Sequence, residues 1–252
     1  MQRLFDKVAL VTGATSGIGK ATAMLFAREG AKVAIAARRE EEGRQVVREI
    51  LDHGGEALFV RTDVAQAEDC AAAVARTVAS FGKLDIAFNN AGITSFGRPV
   101  ADTDEQAWST VIDVNLTGTF LSMKYEIPEI LKAGGGSIIN MSSAYGLAGS
   151  AFGACSYHAS KHGVIGLTRA AALEYAKEKL RVNAICPAFV ATDMIGAFLE
   201  QPEQAAQLAA LHPVGRMGTL AETAEAVVFL ASDASTFITG TTLSIDGGMG
   251  AG

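Results

Sequence analysis

Seven short apolar runs, most of them followed by a longer stretch of helical periodicity, divide this chain from end to end. The runs are "KVALVT" (7–12), "KVAIAA" (32–37), "EALFVRT" (56–62), "LDIAFN" (84–89), "GSIINMS" (136–142), "LRVNAIC" (180–186) and "TTLSID" (241–246). Helical patterns such as Ile18–Glu29, Glu40–His53, Ala67–Phe81 and Ala221–Ser232 lie between them. Runs that are apolar throughout bury both faces of a sheet, and strands separated by helices pair in parallel. The expected fold is a doubly wound α/β domain built on a parallel sheet of about seven strands. No linker or internal repeat interrupts 1–252, so a single domain is expected. Thr103 and Gln106 have capping-box spacing ahead of the apolar positions Trp108, Val111 and Ile112. The stretch 188–217 is long, mixed in character and follows a strand end, which reads as a lid.

The first connection is unusual. "TGATSGIGK" places Gly13, Gly17 and Gly19 between a strand and a helix, the context of a dinucleotide fingerprint. Gly13 can take the positive φ of the turn, Gly17 lets backbone approach a pyrophosphate, and Gly19 lets helix pack on strand. The helix N-terminus then offers free N–H groups and a partial positive charge. After the second strand the chain reads "AARREEEGR", so Ala37 supplies no carboxylate for a ribose 2′-OH and Arg38 follows at once. A planar guanidinium suits a 2′-phosphate, which favours NADP(H) over NAD(H). The other reading makes Arg38 and Arg39 the solvated start of a charged helix.

"SYHASKHG" puts Tyr157 and Lys161 one helical turn apart on a common face. The preceding strand ends in Ser142 and Ser143, at the sheet edge where parallel α/β proteins bind ligands. A tyrosine of pKa ~10 needs roughly 4 kcal/mol of preference for phenolate to act near neutrality. One ammonium ~4 Å away, at an effective dielectric of about 20, supplies that order of energy. A serine hydroxyl could hold a substrate oxygen while the proton moves. Cys155 lies near Tyr157, but no histidine partner is placed for it, and it reads as a small half-buried thiol.

Taken together, "TGATSGIG", "NNAG" (89–92), Asn115 in "VNLTG", Ser143, "YHASK" and "DGG" (246–248) resemble the short-chain dehydrogenase/reductase family over roughly residues 5 to 250. The resemblance implies a Rossmann fold and hydride transfer between a nicotinamide cofactor and a carbonyl or secondary alcohol. It implies Tyr157 as general acid/base, Ser143 orienting the substrate oxygen, and Lys161 tuning the tyrosine while binding the nicotinamide ribose. Asn115 would hold a water in the proton relay. The cofactor would lie along Gly13, Thr15, Ser16, Gly17, Ile18 and Gly19, with Asp63 and Val64 at the adenine. Asn89, Asn90, Ala91 and Gly92 would pass under the adenosine ribose, Pro187 and Thr192 would fix the carboxamide, and Val190 would also contact the cofactor. The resemblance further implies a homotetramer pairing helices around 104–132 and 157–176. The chain departs from the family in Pro187-Ala188, where Pro-Gly is usual, and in one extra residue between Ser143 and Tyr157, placed in "AGSAFGACS". Alternatives of other kinds are an NAD-dependent dehydrogenase of the same family, an epimerase or dehydratase on the same scaffold, and a non-enzymatic cofactor-binding regulator.

Composition narrows the partners. Of 252 residues, 49% are hydrophobic and 19% charged, which excludes a disordered chain, and the net charge of −6 argues against nucleic acid or an anionic membrane. No run is long enough to span a bilayer, and "MQRLFDKVALVTGA" lacks a signal layout. Three well-separated cysteines, Cys70, Cys155 and Cys186, have no metal-ligand spacing, so a reduced, cytoplasmic protein without metal is expected. Phe152, Phe189, Met194, Ile195 and Phe198 suggest an apolar ketone or alcohol as substrate.

Overall fold

In the computed structural model, which describes residues 2–251, each of the seven apolar runs forms a strand. They are β1 (Val8–Thr12), β2 (Lys32–Ala37), β3 (Glu56–Arg61), β4 (Ile86–Asn89), β5 (Gly136–Met141), β6 (Leu180–Pro187) and β7 (Thr242–Ile245). All neighbours pair in parallel, in the order β3-β2-β1-β4-β5-β6-β7. The order reverses between β1 and β4, and that crevice is where ligands bind in open parallel sheets.

The helices are α1 (Gly17–Arg28), α2 (Glu40–Asp52), α3 (Ala67–Phe81), α4 (Glu105–Ile112), α5 (Gly118–Lys132), α6 (Cys155–Tyr175), α7 (Gly196–Leu199), α8 (Pro202–Ala210) and α9 (Leu220–Ala231). Strand side chains alternate between two apolar layers, which explains the unbroken apolar runs. Ala9, Val11, Val33, Ile35, Ile86 and Phe88 face the layer built with Phe26 of α1, Val46 of α2 and Val227 of α9. Leu10, Ala34, Ala36 and Ala87 face the opposite layer, with Val74 of α3, Ile130 of α5 and Ala172 of α6. Side chains as large as Phe26 and Phe88 are fully buried; each such burial contributes roughly 1.5–3 kcal/mol.

Two local expectations change. Thr103 does not cap α4: its hydroxyl donates back to the Pro99 carbonyl at 3.0 Å, and Asp104 caps instead, accepting from Ala107 N–H at 2.9 Å. A capping box does form at α9, where Thr219 and Glu222 satisfy each other's backbone. The stretch 188–217 is no bare loop, because it carries α7 and α8. It is pinned at both ends by a bridge between Val190 and Gly218 and by the Val214 N–H donating to the Gly247 carbonyl at 3.2 Å.

Candidate active site

The C-terminal ends of β1, β2, β4, β5 and β6 surround a cavity of about 500 Å³. The glycine turn forms its floor. Gly13 has φ +65°, and a Cβ there would sit 2.8 Å from Ala91 Cα. At Gly19 a Cβ would sit 2.5 Å from Asn90 Nδ2 and from the Gly13 carbonyl oxygen, so helix and strand ends touch through hydrogen only. Ser16 makes no side-chain cap on α1, whose first turn also lacks an acidic residue. The first N–H groups of α1 therefore keep their capacity for an anion. Thr15, Ser16, Gly17 and Ile18 line this end of the cavity.

Asn90 explains why the turn holds its shape. Its backbone N–H donates to Thr12 Oγ1 at 3.0 Å, and its side chain donates to the carbonyls of Thr12 and Gly13 at 3.0 and 3.1 Å. Ala91 N–H also donates to Thr12 Oγ1, at 3.1 Å. Asn90, Ala91 and Gly92 line the cavity, as do Asp63 and Val64 after β3. One Asp63 oxygen already accepts from Ala65 N–H at 3.1 Å. Across the cavity lie Pro187, Val190 and Thr192, the last 3.5 Å from where a Cβ on Gly17 would stand.

Past β2, both arginines line the cavity, but they differ. Arg38 is exposed and makes no side-chain bond among the described residues. Arg39 reaches back to Thr15 and Ser16. Sequence reasoning singled out only Arg38, since nothing local distinguishes the two side chains.

Ser143, Tyr157 and Lys161 meet on the opposite wall. Ser143 follows β5 and accepts from Tyr145 N–H at 3.2 Å, while the neighbouring Ser142 hydroxyl donates to the Lys161 carbonyl at 2.9 Å. Lys161 is buried, donates to the Met141 carbonyl at 2.8 Å and stands 5.6 Å from the centre of the Tyr157 ring. Burial lowers the Lys161 ammonium to about 8. Burial also pushes the Tyr157 phenol up, with hydrogen bonding to Ser143 opposing. Among the chain's own groups desolvation acts most strongly on Tyr157, and the downward pull comes from Ser143 rather than from the expected Lys161.

Asn115 lies beneath the cavity rather than on its wall. It sits in a π-helical turn, Asp113–Thr117, between α4 and α5, a local widening often found at functional sites. Its side chain clamps Ile93 in both directions, accepting from N–H at 2.8 Å and donating to the carbonyl at 2.9 Å. It also donates to Ser160 at 3.1 Å. A π turn leaves no trace in the local sequence beyond an asparagine in a helical stretch.

Aromatic rings close the outer end. Tyr145 and Phe189 stand edge-on with centroids 5.9 Å apart, and Phe152 packs edge-on to both. Phe96 faces Tyr157 at 6.4 Å and is backed edge-on by Phe198 at 6.0 Å. Phe189, Met194 and Ile195 line the cavity, while Phe152 and Phe198 stand behind it. The sequence reading missed Phe96, Tyr145 and His212, although the first two lie within four residues of Gly92 and Ser143. The long loop before α6 is tied down, Gly97 and Arg98 donating to the carbonyls of Phe152 and Gly153 at 3.0 and 3.2 Å. Cys155 makes a 3.3 Å contact with Thr103 and shows no catalytic partner.

A dinucleotide crevice beside a serine, a tyrosine and a lysine defines the class of α/β oxidoreductases that act on alcohols and carbonyls. This chain belongs to the short-chain dehydrogenase/reductase family. The family described as enoyl-(acyl carrier protein) reductase matches residues 13–250. The chain is 46% identical to cyclohexanol dehydrogenase of Acinetobacter sp. over 242 residues, 96% of this chain and 94% of that one. It is 44% identical to 2,5-dichloro-2,5-cyclohexadiene-1,4-diol dehydrogenase of Sphingobium indicum, covering 98% of each. Among solved structures, levodione reductase superposes with a TM-score of 0.95 at 33% identity, covering 99% of each chain. The protein is an oxidoreductase acting on CH–OH and C=O groups with a nicotinamide cofactor.

Proposed function

We propose that the protein interconverts cyclic secondary alcohols and their ketones, using NADP(H) in preference to NAD(H). The observation that carries this reading is the position of Tyr157, flanked by Ser143 and faced by the ring of Phe96, at the junction of the glycine-floored crevice and the aromatic end. Flat walls of Phe96, Tyr145 and Phe189 suit a compact alicyclic ring better than a flexible chain. The similar enzymes named for cyclohexanol and for a cyclohexadiene diol support the same class.

The uncapped start of α1 and the glycine contacts at 13 and 19 fit a pyrophosphate, so a nicotinamide dinucleotide would be held there and would supply the hydride donor or acceptor. The remaining chemistry belongs to the chain. Ser143 Oγ holds the substrate oxygen, and Tyr157 Oη exchanges a proton with it. Lys161, fixed by Met141, holds positive charge beside the ring and favours the phenolate as the proton leaves. Asn115 positions Ile93 and the cavity floor near it.

For the cofactor, Ala37 brings no carboxylate while Arg38 stands open at the cavity edge, which supports a 2′-phosphate. Trp108, Phe120 and Leu173 leave apolar surface on α4, α5 and α6, which supports a homotetramer through those helices. Three unpaired cysteines and the absence of a membrane-crossing helix among the described residues are consistent with the cytoplasm. Turnover of cyclohexanol against open-chain secondary alcohols, with each cofactor, tests the reading. A higher kcat/KM for the ring with NADP+ is expected; preference for an open chain would overturn the substrate class.

A further inference from the structure

Beneath the site lies a carboxyl that the reaction does not use. Glu126 of α5 is fully buried, and no ion pair reaches it among the described residues. It joins Asn89 of β4, Asn140 of β5 and Thr168 of α6, each buried as well.

One backbone carbonyl sets the direction of every hydrogen bond in this cluster. Thr168 Oγ1 donates its only proton to the Val164 carbonyl at 2.7 Å. It can therefore only accept from Asn140 Nδ2, at 2.9 Å. That turns Asn140 Oδ1 towards Asn89, whose Nδ2 donates to it at 3.0 Å. The second Nδ2 proton of Asn89 goes to Glu126 Oε2, also at 3.0 Å. Two oxygens are left, Asn89 Oδ1 and Glu126 Oε1, both buried and without partners. Orphaned buried acceptors are costly, and two of them satisfy each other only if one carries a proton. An amide oxygen does not; a carboxyl oxygen can.

We propose that Glu126 is a neutral carboxylic acid whose Oε1–H donates to Asn89 Oδ1, closing a two-bond acid–amide ring that positions the ends of β4 and β5. Asn89 precedes Asn90, which ties the glycine turn, and Asn140 precedes Met141, whose carbonyl holds Lys161. Glu126 is therefore a positioning residue acting through both strands. Its surroundings offer no compensating cation. The titratable group facing it from α3 is the Cys70 thiol, pushed up to about 11 chiefly by burial. β4 and β5 present the two amides, α6 presents Thr168, and Met123 of α5 itself offers a thioether to Asn140. Burial pushes Glu126 up to about 7, against the bond from Asn89.

A folded pKa above the unfolded value means that the folded chain holds the proton more tightly. Stability from this group is complete below about 4.5 and is lost as pH rises through about 7. Glu126→Gln places a permanently neutral amide that can make the same two bonds. Relative to that variant, the wild-type Tm should fall by roughly 5 °C between about pH 4.5 and pH 7, with no further divergence above. The Kd of the tighter-binding cofactor, NADP(H) or NAD(H), should rise severalfold in wild type relative to the variant as pH rises through about 7, where the folded chain loses this proton. A purely structural role would leave that ratio constant, and a constant ratio overturns the positioning role. Wild type labelled with ¹³C at glutamate carboxyls needs no variant to fold: one carboxyl should titrate near 7. If every glutamate titrates near its ordinary value, the acid–amide ring does not exist.

Discussion

Arg39 donates twice to the Thr15 hydroxyl, at 3.2 and 2.7 Å, so the second residue after β2 closes over the glycine turn after β1. A third bond reaches Ser16 at 2.9 Å, while Arg38 makes no side-chain bond among the described residues. The two arginines should therefore separate experimentally. Arg38→Ala should weaken NADP(H) alone, whereas Arg39→Ala should loosen the turn and weaken both cofactors. Ala37→Asp should shift preference towards NAD(H): two like charges ~5 Å apart at a dielectric near 20 repel by roughly 3 kcal/mol, about a hundredfold in affinity. The kcat/KM ratio for the two cofactors in all four proteins decides it. A wild type that already prefers NAD(H) would sink the assignment.

Tyr157→Phe should cut turnover by roughly 10²–10⁴-fold while cofactor Kd stays near wild type. The ring would still pack against Phe96, and only the transferable proton would be gone. Retention of most activity in stopped-flow or steady-state assays would place the acid/base elsewhere.

Asn115 makes three side-chain hydrogen bonds in a buried setting, two to Ile93 and one to Ser160. Asn115→Ala should destabilise the fold by roughly 2–4 kcal/mol, because the Ile93 groups lose their partners. Urea unfolding checks this, and a loss below about 0.5 kcal/mol would mean that water replaces the clamp.

Lys161 has a folded pKa near 8 against an ordinary 10.5, since burial disfavours the ammonium. Above about 8 the unfolded chain binds the extra proton, so this group's contribution to stability increases as pH rises from about 8 to 10.5 and is lost as pH falls through 8. The shift amounts to about 3 kcal/mol. Wild type should therefore gain stability over Lys161→Met across that window. Parallel pH–stability curves would show that the ammonium is not penalised.

The stretch 188–217 should become less protease-sensitive when cofactor and a substrate analogue bind together. His212 anchors it: Nδ1 lies 2.9 Å from the Leu208 carbonyl, which fixes Nε2 as acceptor for the Phe189 N–H at 3.3 Å. His212→Ala should raise cleavage there in the unliganded protein. Cleavage indifferent to ligands would remove the lid from the mechanism.

The strands were legible because burial on both faces leaves an unbroken apolar run, and each run became a strand with ends shifted by no more than two residues. The glycine turn and the Tyr157–Lys161 pair were legible because they are local in sequence. What depended on distant partners was not. Thr103 has the spacing of a cap but spends its hydroxyl on Pro99. Lys161 looks free to lower Tyr157, yet its ammonium is tied to the Met141 carbonyl twenty residues away and burial dominates the phenol. The Glu126 carboxyl reads as one more charge on a helix until Asn89 is seen against it.

The strand order carries a consequence for how this chain can change. The residues proposed to discriminate between cofactors lie at the end of β2, and those proposed to face substrate follow β5 and β6. Between β2 and β6 lie β1, β4 and β5, roughly 19 Å at ~4.8 Å per strand. Energies at such a separation add to within about 0.5 kcal/mol. Replacements at Ala37 and at Phe189 should therefore combine as independent steps, and a descendant could exchange its electron carrier while keeping the shape of molecule it oxidises.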